Sequence, residues 1–154
     1  MKSILPMTDI CTDNLENDVE KGLLVALIAH RGQTDLDGKP AILHPLAVAL
    51  SGKNDNEKIV GLLHDVVEDS EYTCDDLRAV GFNDEIIEAL QLLTHDEHLT
   101  YQDYVQRIKD SGNQLAIAVK LNDLQHNLKR GRAGGHTRIV EKHEKALLQL
   151  QSNE

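Results

Sequence analysis

Apolar residues in this chain recur at intervals of three and four, and no segment sustains a two-residue alternation with turn chemistry. That pattern belongs to amphipathic helices and offers no half-buried strand. Capping residues punctuate it. The spacing predicts a first helix from about Asn14 to His30, with an apolar stripe through Leu15, Val19, Leu23, Leu27 and Ile28. Gly32 to Pro40 reads as a loop, after which His44-Pro45 opens a short helix, Pro45 sitting in a first turn that needs no N–H donor. Asn54 and Glu57 read as a cap and its partner for one helix that carries His64-Asp65. Thr73 starts a short helix that Gly81 ends. Further helices are expected from Asn83 through Leu93, from Thr100 to about Asp110, and from Asn113 to about Lys129, the last with Leu115, Ala118, Val119, Leu121 and Leu124 on its apolar face. Gly131 to Gly135 should break the chain before a final helix from about Thr137 to Leu150. The expected fold is an all-α bundle of roughly seven or eight helices.

Composition fits that reading. Aromatic residues are only 3% of the chain, so Leu, Ile, Val and Ala must build the core, a mix better suited to packed helices than to a sandwich or barrel. The 154 residues suit one domain spanning 1–154, with its core at about 14–150. No internal repeat or low-complexity linker divides it. A net charge of −10 argues against nonspecific nucleic-acid binding and against anionic membrane surfaces. Cys11 and Cys74 form no metal or redox spacing, the N-terminus lacks the apolar run of a signal peptide, and no segment is long enough to span a bilayer. A cytoplasmic protein is expected; its oligomeric state is not legible.

Within the helical pattern, one stretch carries unusual chemistry: Gly61-Leu62-Leu63-His64-Asp65-Val66-Val67-Glu68-Asp69. Two metal-ligand types stand side by side in an apolar run, and two carboxylates follow one helical turn later. His64 and Glu68 are spaced i, i+4, as are Asp65 and Asp69. Two other apolar segments hold ligand types, Ile42-Leu43-His44-Pro45 and Val119-Lys120-Leu121-Asn122-Asp123. His44, His64, Asp65 and Asp123 together make a mixed nitrogen and oxygen set suited to Mn, Fe or Zn. Singly each has an ordinary explanation: His44 as a helix-start residue, His64-Asp65 as a hydrogen-bonded surface pair, Asp123 as the ion-pair partner of Lys120 three residues earlier.

Their order and flanks resemble a known family. The succession His, His-Asp, Asp is similar to the HD-domain metal-dependent phosphohydrolases. Ala29-His30-Arg31-Gly32-Gln33, Gly38-Lys39-Pro40-Ala41-Ile42-Leu43-His44-Pro45, Leu62 to Asp69 and Val119 to Asn127 together resemble the hydrolase domain of the RelA/SpoT family, most closely its small stand-alone members. The resemblance implies an HD-domain fold and removal of the 3′-pyrophosphate from guanosine tetra- or pentaphosphate. It places His44, His64, Asp65 and Asp123 on one divalent ion, usually Mn²⁺, and Glu68 and Asp69 on the acid pair that activates the attacking water. Asn127 falls near the nucleotide sugar and phosphates, His30 and Gln33 in a motif near the site, and His143 where relatives often carry Tyr. The alternatives are hydrolysis of another nucleotide, such as an adenine alarmone or NADPH, and a non-catalytic nucleotide-binding module. The complete metal set and Glu68-Asp69 argue against the last.

One departure bears on base recognition. Many alarmone hydrolases carry Arg-Lys before the first metal histidine, where this chain has Thr34-Asp35-Leu36-Asp37. The base is therefore expected to be held by shape and backbone contacts. The phosphates are expected to meet Lys120 and the cations between Lys129 and Arg138, Arg130 and Arg132 among them. His126 reads as a supporting residue, and His95, His98 and His136 as surface residues.

Overall fold

A computed structural model describes residues 17–153 as helices joined by short turns, with no strand among the described residues beyond an isolated Thr34–Pro40 bridge. The helices are α1 (Asp18–Ala29), α2 (Leu43–Leu50), α3 (Asp55–Leu63), α4 (Val66–Asp69), α5 (Cys74–Val80), α6 (Asp84–Leu93), α7 (Tyr101–Ser111), α8 (Gln114–Ala133) and α9 (Thr137–Gln151). Expected positions at Leu15 and Cys11, and the proposed start at Asn14, lie outside the described residues.

Helix starts fall where short polar side chains stand ready to accept orphan backbone N–H groups. Asn17, Asn54, Thr73, Asn83, Thr100 and Asn113 each do so at the head of α1, α3, α5, α6, α7 and α8. Thr73 and Asp76 close a reciprocal capping box.

α3 and α8 form the centre. α3 packs against α1, α2, α6 and α8, while α8 also meets α2, α7 and α9. The α2–α3 contact is closest at Gly61. A Cβ there would stand 3.0 Å from the Ala49 N and Cα, so any side chain would push the two backbones apart by a few tenths of an ångström, and glycine allows the close approach. It draws His44 on α2 toward the end of α3.

Three local expectations change. The single helix predicted around His64-Asp65 is two: α3 ends at Leu63, Asp65 sits at ψ −3°, and α4 is a separate short helix. That interruption explains why nine helical segments appear among the described residues where seven or eight were expected. The break predicted over Gly131 to Gly135 falls at its far end, at Gly134 and Gly135: α8 runs past the expected end near Lys129 to Ala133, because helix interiors tolerate a glycine at modest cost. Finally, α1 buries Gly22, Val25, Ala26 and Ala29; of the expected stripe, Val19 and Ile28 pack against the core while Leu23 and Leu27 are exposed. Small side chains let it lie close to α3, and the leucine stripe faces out.

α8 shows a related rotation. Its buried positions are Ala116, Val119, Lys120, Asp123, Leu124, Leu128 and Gly131. Leu115 and Leu121 are only partly covered. The most deeply buried face of the longest helix thus carries a lysine and an aspartate.

Candidate active site

Asp123 is the centre of the site. Its Oδ1 lies 2.7 Å from His44 Nε2 and 3.2 Å from His64 Nε2, and its Oδ2 lies 3.0 Å from Lys120 Nζ. Asp65 Oδ2 is 3.8 Å from His44 Nε2 and 3.3 Å from His64 Nε2. His44, His64 and Asp123 are buried. Donor atoms of His44, His64 and Asp65 lie within 4.8 Å of one another.

Two imidazole nitrogens and two carboxylates facing one another fit a divalent cation. The groups behind them fit as well. His64 Nδ1–H donates to the Gly61 carbonyl at 2.6 Å, which turns Nε2 toward the cluster. His44 Nδ1 is 2.7 Å from His126 Nδ1, and the two rings stack with centroids 5.0 Å apart. His126 thus supports the His44 ring from behind.

Charge at the cluster is uneven. Burial pushes the Asp123 carboxyl up, but Lys120 and the two histidines outweigh it and hold it well below the usual carboxylate range. Lys120 keeps its charge because, although burial disfavours it, Asp123 and the rings of Tyr104 and Tyr101 stabilise it. Burial dominates at His44 and lowers it despite the Asp123 bond. At His64 burial is overcome by Asp65 and Asp123, which raise the ring to about 9.

The His64 shift gives a pH dependence. Without an ion, His64 holds its proton at neutral pH. That ionisation stabilises the fold fully below its ordinary value of 6.5, and the contribution is lost as pH rises through about 9. A cation must displace the proton, so divalent-metal affinity is expected to rise with pH up to about 9. Calorimetry in buffers of different ionisation enthalpy should record proton release at pH 7. A flat affinity between pH 6 and 8 would contradict it.

Glu68 and Asp69 flank the cluster on opposite sides. Consecutive residues of a helical turn diverge by about 100°. Asp69 lines a cavity of about 380 Å³ with His30, Gln33, Asp35, His44, Asp65 and Arg130. Glu68 lines a smaller one of about 160 Å³, reached by Lys120, Asp123, Asn127, Tyr101 and His143. His44, Asp65 and Arg130 border both. Burial raises both acids, and the Asp65 charge raises them further. Glu68 accepts the His95 backbone N–H.

A third cavity of about 450 Å³ continues from the first past Thr34, Asp35 and Arg130 to Leu36, Asp37, His136, Ile139, Lys142 and His143. Arg130 stands at the junction of all three. Its Nε donates to Asn127 Oδ1 at 2.9 Å, while Asn127 Nδ2 donates to Asp123 Oδ1 at 3.2 Å. Asp35 Oδ2 lies 4.0 Å from the Arg130 guanidinium.

The structure brings His30, Gln33, Lys120, Asn127, Arg130 and His143 to these cavities. It does not bring Arg132, which is exposed, lies outside them and pairs with Glu144 at 3.1 Å. Lys129 and Arg138 are also exposed and line none of the three. Extension of α8 places Arg132 on the outer side of that helix, and Arg138 lies in the first turn of α9. Lys120 is turned inward onto Asp123.

Two histidines assigned to the surface are partly covered. His95 stacks on Tyr104 at 4.6 Å, and His136 Nε2 meets Asp37 Oδ1 at 2.9 Å. Tyr101 and Tyr104, which frame Lys120, were not singled out in the sequence; their i, i+3 spacing behind the Thr100 cap was the available signal.

No family model matches the chain. Individual proteins do. A GTP pyrophosphokinase of Streptomyces coelicolor is 32% identical over 122 residues, covering 72% of this chain and 14% of that protein. The bifunctional (p)ppGpp synthase/hydrolase SpoT of Escherichia coli is 31% identical over 124 residues, covering 72% of this chain and 18% of that protein. The chain therefore spans less than a fifth of the length of these relatives. Among solved structures, a metazoan ortholog of SpoT that hydrolyses ppGpp superposes with a TM-score of 0.67 at 20% identity, covering 86% of this chain and 91% of that one. That likeness is one of fold.

Proposed function

We propose that this chain, a relative of the RelA/SpoT proteins with their all-α HD-domain fold, removes the 3′-pyrophosphate of guanosine tetra- or pentaphosphate. The observation that carries the reading is the cluster of His44, His64, Asp65 and Asp123 between two cavities, each with its own carboxylate. The centre suits one divalent ion, which we assign as Mn²⁺. Bound there, such an ion polarises a phosphoryl oxygen and acidifies water.

The residues of the chain do the rest. Lys120 neutralises one oxygen of Asp123 and leaves the other to the centre. Asn127 ties Asp123 to Arg130, so the guanidinium is aimed from the same helix. Arg130 meets the phosphates through charge-assisted bonds, exchanging its long contact with Asp35 for a phosphate oxygen. Glu68 takes the proton of the attacking water, and Asp69, across the cluster, helps to orient it. The nucleoside occupies the joined cavities beyond Arg130, where Asp35 and Asp37 offer no stacked cation and the base is held by the walls.

A nucleotide panel tests this reading. With Mn²⁺, ppGpp and pppGpp should release pyrophosphate, identified by phosphorus NMR, and chelation should abolish release. Adenine 3′-pyrophosphates should also react, with weak discrimination against them. Arg130→Ala should raise KM for every such nucleotide, and Arg132→Ala should leave it unchanged. No pyrophosphate from any 3′-pyrophosphorylated nucleotide would refute the assignment. Orthophosphate released from the 2′-monoester of NADPH, with no turnover of the 3′-pyrophosphates, would move it to another nucleotide.

A further inference from the structure

We propose that His30 accepts a hydrogen bond from the ribose hydroxyl next to the scissile phosphoester. The inference rests on the hydrolase reading above and names one atom of its substrate.

His30 is 3% exposed and lines the cavity that holds Asp69, Asp65 and His44. Its Nδ1 is 3.0 Å from Gln33 Oε1. The Gln33 amide fits only one way round, because its Nε2 donates to the carbonyl oxygens of Asp69 at 2.7 Å and of Ala29 at 3.3 Å. Neither carbonyl can donate in return. Oε1 therefore faces His30, and Nδ1 must carry the hydrogen. In the neutral ring Nε2 is then a bare lone pair. It is buried and has no partner among the described residues.

A buried acceptor without a donor is costly, and a ligand that supplies one gains by satisfying it. The neighbours cannot: the carboxylates of Asp65 and Asp69 accept when ionised, and phosphate oxygens do the same. The missing group must be a hydroxyl or an N–H. His30 borders the same cavity as the metal-ligand residues His44 and Asp65, so the scissile phosphoester sits close by. The base lies farther off, beyond Arg130. The donor on the carbon adjacent to the 3′-ester is the 2′-hydroxyl. His30 thus reads the sugar and distinguishes a ribonucleotide from its deoxy counterpart.

The experiment is a comparison of kcat/KM for ppGpp and its 2′-deoxy analogue, with Mn²⁺, on the intact protein, His30→Ala and Gln33→Met. The intact protein is expected to favour the ribonucleotide by about tenfold, the effect of one buried hydrogen bond. His30→Ala should lose that preference by falling to the deoxy rate, leaving deoxy turnover within about twofold. Gln33→Met releases the tautomer without removing the ring but also frees the Asp69 carbonyl, so it should lower both rates and the ribonucleotide's further, narrowing the preference. It also serves if His30→Ala fails to fold. Equal losses on both sugars would assign His30 to the attacking water and overturn the proposal. So would an intact protein indifferent to the 2′-hydroxyl. If the intact protein turns over neither nucleotide, the hydrolase reading itself fails and the inference falls with it.

Discussion

Asp123→Ala is expected to empty the metal centre and to destabilise the fold by about 3–5 kcal/mol, the usual cost of stranding one member of a buried ion pair. Both effects follow from one side chain. Asp123 Oδ1 faces His44 and His64, while Oδ2 holds Lys120, which is 6% exposed. Without the carboxylate, Lys120 loses its ion-pair partner and keeps the faces of Tyr101 and Tyr104, so it must either lose its proton or draw in water. Elemental analysis after dialysis and a denaturant titration would read the two effects separately. Asp123→Asn keeps the shape and removes the charge, so it should lose metal with a smaller loss of stability. Full metal occupancy in both variants would remove Asp123 from the centre.

Glu68→Gln is expected to retain metal and substrate while lowering kcat by roughly 10²–10⁴-fold, the range for a positioned proton acceptor. The substitution is mild for the fold, because glutamine still offers a carbonyl oxygen to the His95 N–H that Glu68 accepts. KM and Mn²⁺ content should therefore stay close to those of the intact protein. Asp69 faces the other cavity and cannot take over the same proton without moving. Turnover at the level of the intact protein would take Glu68 out of the chemistry.

The legible parts of this fold are those decided by neighbours in sequence. Asn54, Thr73, Asn83, Thr100 and Asn113 cap the helices they were expected to cap, because a capping bond spans only two or three residues. The four cluster residues were legible as ligand types in apolar settings, though their distances depend on contacts far apart in the chain. The interruption at Asp65 was hidden because nothing in Leu63-His64-Asp65-Val66 breaks a helix. Burial of Lys120 was hidden too, since lysine in a helix normally faces water. Reading Gly131 to Gly135 as the break trusted its glycines, yet α8 stays helical through Ala133 and the chain turns only at Gly134 and Gly135.

Asp123, Asn127 and Arg130 all project from α8, and that shared rod works as a ruler. Seven residues of helix advance about 10 Å, so the interval between Asp123 and Arg130 is set by backbone rise rather than by loop conformation. The interval can absorb changes of side chain, but not of length. One residue inserted between Asp123 and Arg130 would turn the guanidinium by about 100° about the helix axis, away from the meeting point of the cavities.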